Sequence, residues 1–191
     1  MGEVQRIFYI HFSLAMTALF AYFFVFVGSI GYLWKRARGA DDFAYACAEV
    51  GFVYCCGVLV TGPLWAKPVW GIWWTWDPRL TSTFILWLLY IAYLLLRGLL
   101  EDPQRRATLS AVFGIFAFLD APLVYVSNRL WRTQHPAPVM FGGENSYLDP
   151  TMAKVLVLCI CALLPVMILV LVDRYRLEGM RHEVELSLIH I

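Results

Sequence analysis

The sequence predicts an all-α integral membrane protein, a bundle of about five transmembrane helices with an external tryptophan-rich loop. Composition is the first reason: 61% of the 191 residues are hydrophobic and only 15% are charged, far from the balance of a soluble domain. The second is run length, because five apolar stretches approach the ~20 residues that cross a hydrocarbon core. Third, five of the eight tryptophans fall between Trp65 and Trp76, in the connection between two of those stretches. Indole rings settle at the headgroup level because one edge is apolar and the N–H is wet, but anchoring uses one or two rings and not five.

The first span covers residues 8–33. It continues far beyond a signal-peptide core and lacks a small-residue cleavage site, so it reads as a permanent span. The second covers 45–65, with Glu49 near enough to its inner end to be wetted, and the third covers 80–96. Glu101-Asp102-Pro103 is placed to start a short interfacial helix before the fourth span, 108–128. The fifth, 155–172, has Asp149 to cap it and Pro150 at the first helical position, where the missing N–H costs nothing. Linkers are expected at 34–43, 66–79, 97–107 and 129–154. Pro122 and Pro165 are expected to kink their helices, which membrane bundles tolerate. With no internal repeat, heptad seam or low-complexity segment, residues 1–185 read as one transmembrane domain with its loop at 65–81. The last six residues, 186–191, break with the charged tail before them and are set apart as a tail of separate origin, without a function.

Orientation follows from the basic residues. Alternate connections and the C-terminal tail carry Lys35, Arg36, Arg38, Arg97, Arg105, Arg106, Arg174, Arg176 and Arg181, against Arg6, Lys67, Arg79, Arg129, Arg132 and Lys154 on the other side. The richer set belongs in the cytoplasm, which puts the N-terminus and the tryptophan loop outside and the C-terminus inside. A net charge of +1 gives no reason to expect nucleic acid as a partner.

Within the loop, Gly71 is expected to let the backbone and rings approach a guest closely, Pro68 and Pro78 to stiffen the chain, and Asp77 and Arg79 to supply one charge of each sign. The guest these residues suit is flat, apolar and partly charged. His11, near the outer end of the first span, and His135, beyond the fourth, fall on the loop's side. Neutral imidazole is an axial ligand for haem iron, and two on opposite faces leave no open position for oxygen chemistry. Trp73, Trp74 and Trp76 would then line the edge of the macrocycle, and Arg79, Arg129 or Arg132 would pair with its propionates. Taken singly, each histidine has a plainer use as a hydrogen-bonded boundary residue; Arg79 and Lys67 also suit snorkelling anchors, and Asp77 a helix cap. His182 and His190 fall on the cytoplasmic tail and are expected to be solvated. Asp120 lies inside the fourth span, ~12 Å from the boundary at Asn128, where a hydrogen bond to a neighbouring helix is expected.

Other chemistries lack their residues. Cys47, Cys55, Cys56, Cys159 and Cys161 all sit in spans as small apolar residues, and no C-x-x-C-H or C-x-x-C occurs. The G-x-x-x-x-G-K-[ST] phosphate loop is absent, and no nucleophile, base and orienting group stand together, so an enzyme is not expected.

Trp70-Gly-x-x-Trp73-Trp74-x-Trp76-Asp77-x-Arg79-Leu-Thr81 resembles the WWD signature of haem-handling membrane proteins. Arg6-Ile-Phe-Tyr-Ile-His11 and Gln134-His135 resemble the two histidine segments of the haem exporter protein C (CcmC) family of cytochrome c maturation, and the likeness extends from about Arg6 to beyond Val172. The resemblance implies haem b as transported cargo, held at the periplasmic face of the cytoplasmic (inner) membrane. His11 and His135 would be its axial ligands, with Trp70, Trp73, Trp74, Trp76, Asp77 and Arg79 forming the platform. It further implies delivery to the haem chaperone CcmE, in a complex with the small membrane protein CcmD and the ABC transporter subunits CcmA and CcmB. Larger WWD relatives carry more spans and more histidines. The family usually has six spans, and one expected before the first histidine segment is missing here, which fits a shorter form or a sequence that begins late.

Two other readings use the same residues. A bis-histidine b-type electron-transfer cytochrome would bury both ligands within facing helices, and a transporter permease subunit would use the tryptophans only as anchors.

Overall fold

The computed structural model describes residues 2–131, 133–135 and 148–189. After a short 3-10 turn at Gly2–Val4, six helices follow: α1 (Gln5–Lys35), α2 (Arg38–Trp70), α3 (Pro78–Leu99), α4 (Pro103–Phe118), α5 (Asp120–Leu130) and α6 (Pro150–Ile189). With α4 and α5 taken as one unit, five helical segments among the described residues are long and apolar enough to cross a bilayer, as the sequence predicts. A backbone in hydrocarbon must satisfy its own hydrogen bonds, and uninterrupted helices do so.

The helices overrun the expected linkers. The connection expected at 34–43 shrinks to Arg36 and Ala37, with Arg36 left-handed (φ 53°) and its N–H donating to Tyr32 O at 2.7 Å. The connection expected at 66–79 shrinks to Gly71–Asp77, because α2 runs through Pro63 and Pro68 to Trp70. Pro68 is thus a helical residue and stiffens no loop. No separate interfacial helix forms at Pro103, which instead opens α4 with Asp102 as its cap, accepting from Arg105 N at 2.6 Å. The fourth span breaks at Leu119. Pro122 accounts for the break, since it has no N–H for the carbonyl of Phe118 and its ring would collide with it.

Small residues bring α1 and α2 together. A Cβ at Gly28 would lie 3.0 Å from Ala44 Cβ, and one at Gly51 would lie 2.7 Å from the Tyr22 ring. That space lets the buried Tyr22 stack on Tyr90 of α3, ring centroids 3.6 Å apart at 11°. The core around this pair takes Val25, Cys47, Cys55, Leu86, Ala117 and Val124 from α1 through α5. α6 joins along α1 and α2, where Met167 meets Ala21 and Val50.

The end of the bundle away from the tryptophans is tied by charge. Arg97 grips Asp41 through two bonds of 2.5 and 2.9 Å and lies 4.4 Å over the Tyr45 ring. Glu49 is not simply wetted: it accepts from Arg174 of α6 at 2.5 and 2.9 Å. His182 is not merely solvated either, because its Nε2 lies 3.0 Å from Asp42 Oδ1. The tail helix therefore folds back onto α2. The interhelical bond expected of Asp120 is not found at Oδ2, which is buried without a hydrogen-bond partner at the start of α5.

Candidate functional site

The first turns of α1, the last turns of α2, the Gly71–Asp77 connection, the start of α3 and the segment after α5 meet at one end of the bundle. One cavity there is lined by His11, His135, Trp65, Trp70, Trp74 and Arg79, with Tyr22 and Leu86 among the deeper residues. The two histidines, 124 positions apart in the chain, thus open on the same space.

Trp65 is their common neighbour. Its ring stacks with His11 at 6.5 Å and 21°, and the His135 ring lies 6.5 Å from it on a tilted plane. Trp70 packs edge-on to both Trp65 (5.5 Å) and His135 (6.3 Å). Phe8 of α1 and Leu156 of α6 bury the rest of Trp65, leaving it 6% exposed. The plane of His11 is set from α2: its Nδ1 lies 2.9 Å from Thr61 Oγ1, and Gly62 leaves room for the ring, since a Cβ there would stand 3.3 Å from Cε1.

Asp77 holds the second histidine segment. Its Oδ1 accepts from Leu80 N at 2.9 Å, which caps α3 as expected with Pro78 at the first helical position. Its Oδ2 accepts from Thr133 Oγ1 at 2.7 Å and Gln134 N at 3.3 Å, and Thr133 Oγ1 in turn accepts from His135 N at 3.0 Å. One carboxylate therefore joins the start of α3 to the backbone of His135.

Other loop residues differ from expectation. Gly71 is the left-handed C-cap of α2, φ 78°, with its N–H on Lys67 O, and the space around a Cβ built on it is open. Lys67 closes the same turn by donating to Gly71 O at 2.9 Å, with its Nζ 5.8 Å over the Trp73 ring. The tryptophans divide. Trp74 faces the histidine cavity, whereas Trp73 is 54% and Trp76 73% exposed, and neither lines it. Trp76 instead borders a separate apolar groove with Trp74, Cys56, Phe84 and Trp87. Arg79 lines the histidine cavity, and its Nη1 is buried with no hydrogen-bond partner among the described residues. Arg129 lies 6.0 Å from the ring of Tyr125, which lines the cavity. Arg132 and His190 lie outside the described residues.

Sequence reasoning missed Thr61, Gly62, Tyr125 and the central place of Trp65. Thr61 and Trp65 are four residues apart and so share a helix face. That spacing was a usable signal, hidden because 45–65 reads as an ordinary span.

The arrangement is an aromatic-walled slot carrying two imidazoles and one guanidinium. Among the described residues no three His, Cys, Asp or Glu side chains converge on a bare metal ion. Two imidazoles suit a metal that brings most of its own ligands, as a planar macrocycle does. The unpaired Arg79 nitrogen suits an anionic substituent on it.

The sequence profile of the family described as "Heme exporter protein C" matches residues 1–190. Proteins of that name are similar to the chain. The one from Bradyrhizobium diazoefficiens is 35% identical over 160 residues, covering 83% of this chain and 61% of the relative. The one from Haemophilus influenzae is 30% identical over 182 residues, covering 95% and 74%, and the one from Escherichia coli K12 is 30% identical over 152 residues, covering 79% and 60%. The chain thus spans about three fifths of the Bradyrhizobium and Escherichia relatives.

Proposed function

The chain belongs to the Heme exporter protein C family, and from that premise we propose that it binds haem in the histidine cavity and hands it on during cytochrome c maturation. The cargo is haem b. His11 and His135 take the two axial positions of its iron, while Trp65, Trp70 and Trp74 wall the ring and Arg79 Nη1 pairs with a propionate. Asp77 and Thr133 keep His135 in reach. Trp73 and Trp76, exposed beside the cavity, form the surface met by the acceptor. The site opens on the periplasmic face of the inner membrane, the acceptor is the haem chaperone CcmE, and CcmD, CcmA and CcmB share the complex. The role is to hold the cargo and hand it over, not to catalyse a reaction on it.

The single observation that supports this best is the shared neighbour: two histidines distant in sequence both pack on Trp65 in the lining of one cavity. An electron-transfer cytochrome fits less well, because His135 lies beyond the end of α5 and not within a helix facing His11. Purified protein loaded with haem should show a six-coordinate low-spin spectrum and lose it to added CcmE. Haem retained against CcmE would favour the cytochrome reading, and failure to take up haem would favour the permease reading.

A further inference from the structure

We infer that Thr61 is a positioning residue for the cargo's iron, fixing His11 as the Nδ1–H tautomer so that Nε2 is left with the lone pair that binds metal; this rests on the haem reading above. A threonine hydroxyl has one proton to give. Thr61 Oγ1 lies 2.7 Å from Gly57 O and 3.4 Å from Val58 O, both carbonyl oxygens that only accept. The hydroxyl proton goes to the nearer carbonyl, as in the usual back-bond of a helical threonine. Towards His11 Nδ1, 2.9 Å away, the same oxygen then has only lone pairs to offer. A hydrogen bond there requires the proton to be on Nδ1, and a neutral imidazole carries one.

The reverse arrangement, with the hydroxyl donating to Nδ1, gives up the 2.7 Å bond. It also puts a proton on Nε2, the nitrogen needed for iron. Ring orientation is fixed with the tautomer: Thr61 holds one edge, Gly62 leaves the slot, and Trp65 one turn further along α2 stacks on the face. A hydrogen bond to the distal nitrogen also strengthens imidazole as a donor to metal. Thr61 would therefore tune both how firmly the cargo is held and its reduction potential.

The test uses purified full-length Thr61→Val, which keeps the shape and removes the hydroxyl, beside Thr61→Ser, His11→Ala and the unaltered protein. Expected for Thr61→Val is about 10–100-fold weaker haem binding, the range for loss of such an outer partner, with a raised haem reduction potential. Thr61→Ser should restore both. Ring ¹⁵N shifts of His11 in the haem-free unaltered protein should report the Nδ1–H form, a readout that needs no variant to fold. Unchanged affinity and potential in Thr61→Val, where His11→Ala loses low-spin haem, would overturn the role of Thr61 and leave the haem reading intact. An Nε2–H ring in the haem-free protein would do the same. If His11→Ala keeps the low-spin spectrum, the haem reading itself falls.

Discussion

Asp77→Asn separates two jobs that one carboxylate performs. Oδ1 caps α3, and Oδ2 receives Thr133 Oγ1 at 2.7 Å and Gln134 N at 3.3 Å, with His135 N hanging on Thr133. An asparagine oxygen caps a helix as well as aspartate does, so α3 should keep its start. The amide nitrogen then falls where Oδ2 was and presents a donor to the Gln134 N–H. A hydrogen bond to a charged acceptor contributes about 1.5–3 kcal/mol. Gln134 is exposed and water can replace part of its bond, so the low end of that range applies. At about 1.5–2 kcal/mol the equilibrium constant for holding His135 in place drops roughly 10–30-fold. The assay is the rate of haem loss to an excess of a soluble haem scavenger, read with the low-spin spectrum, while thermal melting checks that the fold is intact. Haem should leave roughly 10–30-fold faster from Asp77→Asn. Thr133→Val should show a similar defect, and the double variant should be little worse than either single, as for residues in one network. Haem loss and spectrum unchanged in a stably folded Asp77→Asn would refute the tether.

Trp65→Leu should weaken haem binding by roughly 2–10-fold through lost ring contacts, whereas Trp76→Leu, at an exposed position outside the cavity lining, should leave binding unchanged and affect transfer to the acceptor; equal binding losses would contradict the division of the tryptophans. Gly51→Ala forces a Cβ to 2.7 Å from the Tyr22 ring and should cost about 1–3 kcal/mol, seen as a lower melting temperature in detergent, and an unchanged melt would show that the Tyr22–Tyr90 stack yields freely. With the five native cysteines replaced, Trp131→Cys should react with a membrane-impermeant thiol reagent from the periplasmic side and Lys35→Cys should not, and the opposite pattern would put the site on the cytoplasmic face.

The spans were legible because the bilayer demands long apolar runs and the chain obeys at each one. Their ends were not, because polar and proline residues at a membrane boundary read as linker while the helix continues. Pro68, Lys67 and Trp70 belong to the last turns of α2, and what stops that helix is the left-handed Gly71. That the two histidines meet at one end of the bundle was legible from their places at the ends of the spans. Their support was not: Thr61 and Gly62 act on His11 across an interhelical contact fifty residues away, which no local pattern encodes. The tryptophans were legible as one cluster and their division was not, since sequence cannot tell which rings of Trp65, Trp70, Trp73, Trp74 and Trp76 turn inward. The partners of Glu49 and Asp42 were hidden for the same reason, Arg174 and His182 lying more than a hundred residues on.

The most direct measurement is the spectrum of haem bound to His11→Ala and to His135→Ala. Each substitution should turn the six-coordinate low-spin spectrum into a five-coordinate or water-ligated one, and added imidazole should restore it by filling the vacated position, since the remaining histidine and the tryptophan walls still hold the ring. An unchanged low-spin spectrum in either variant would mean that its histidine does not ligate the iron, and that His11 and His135 do not share one haem.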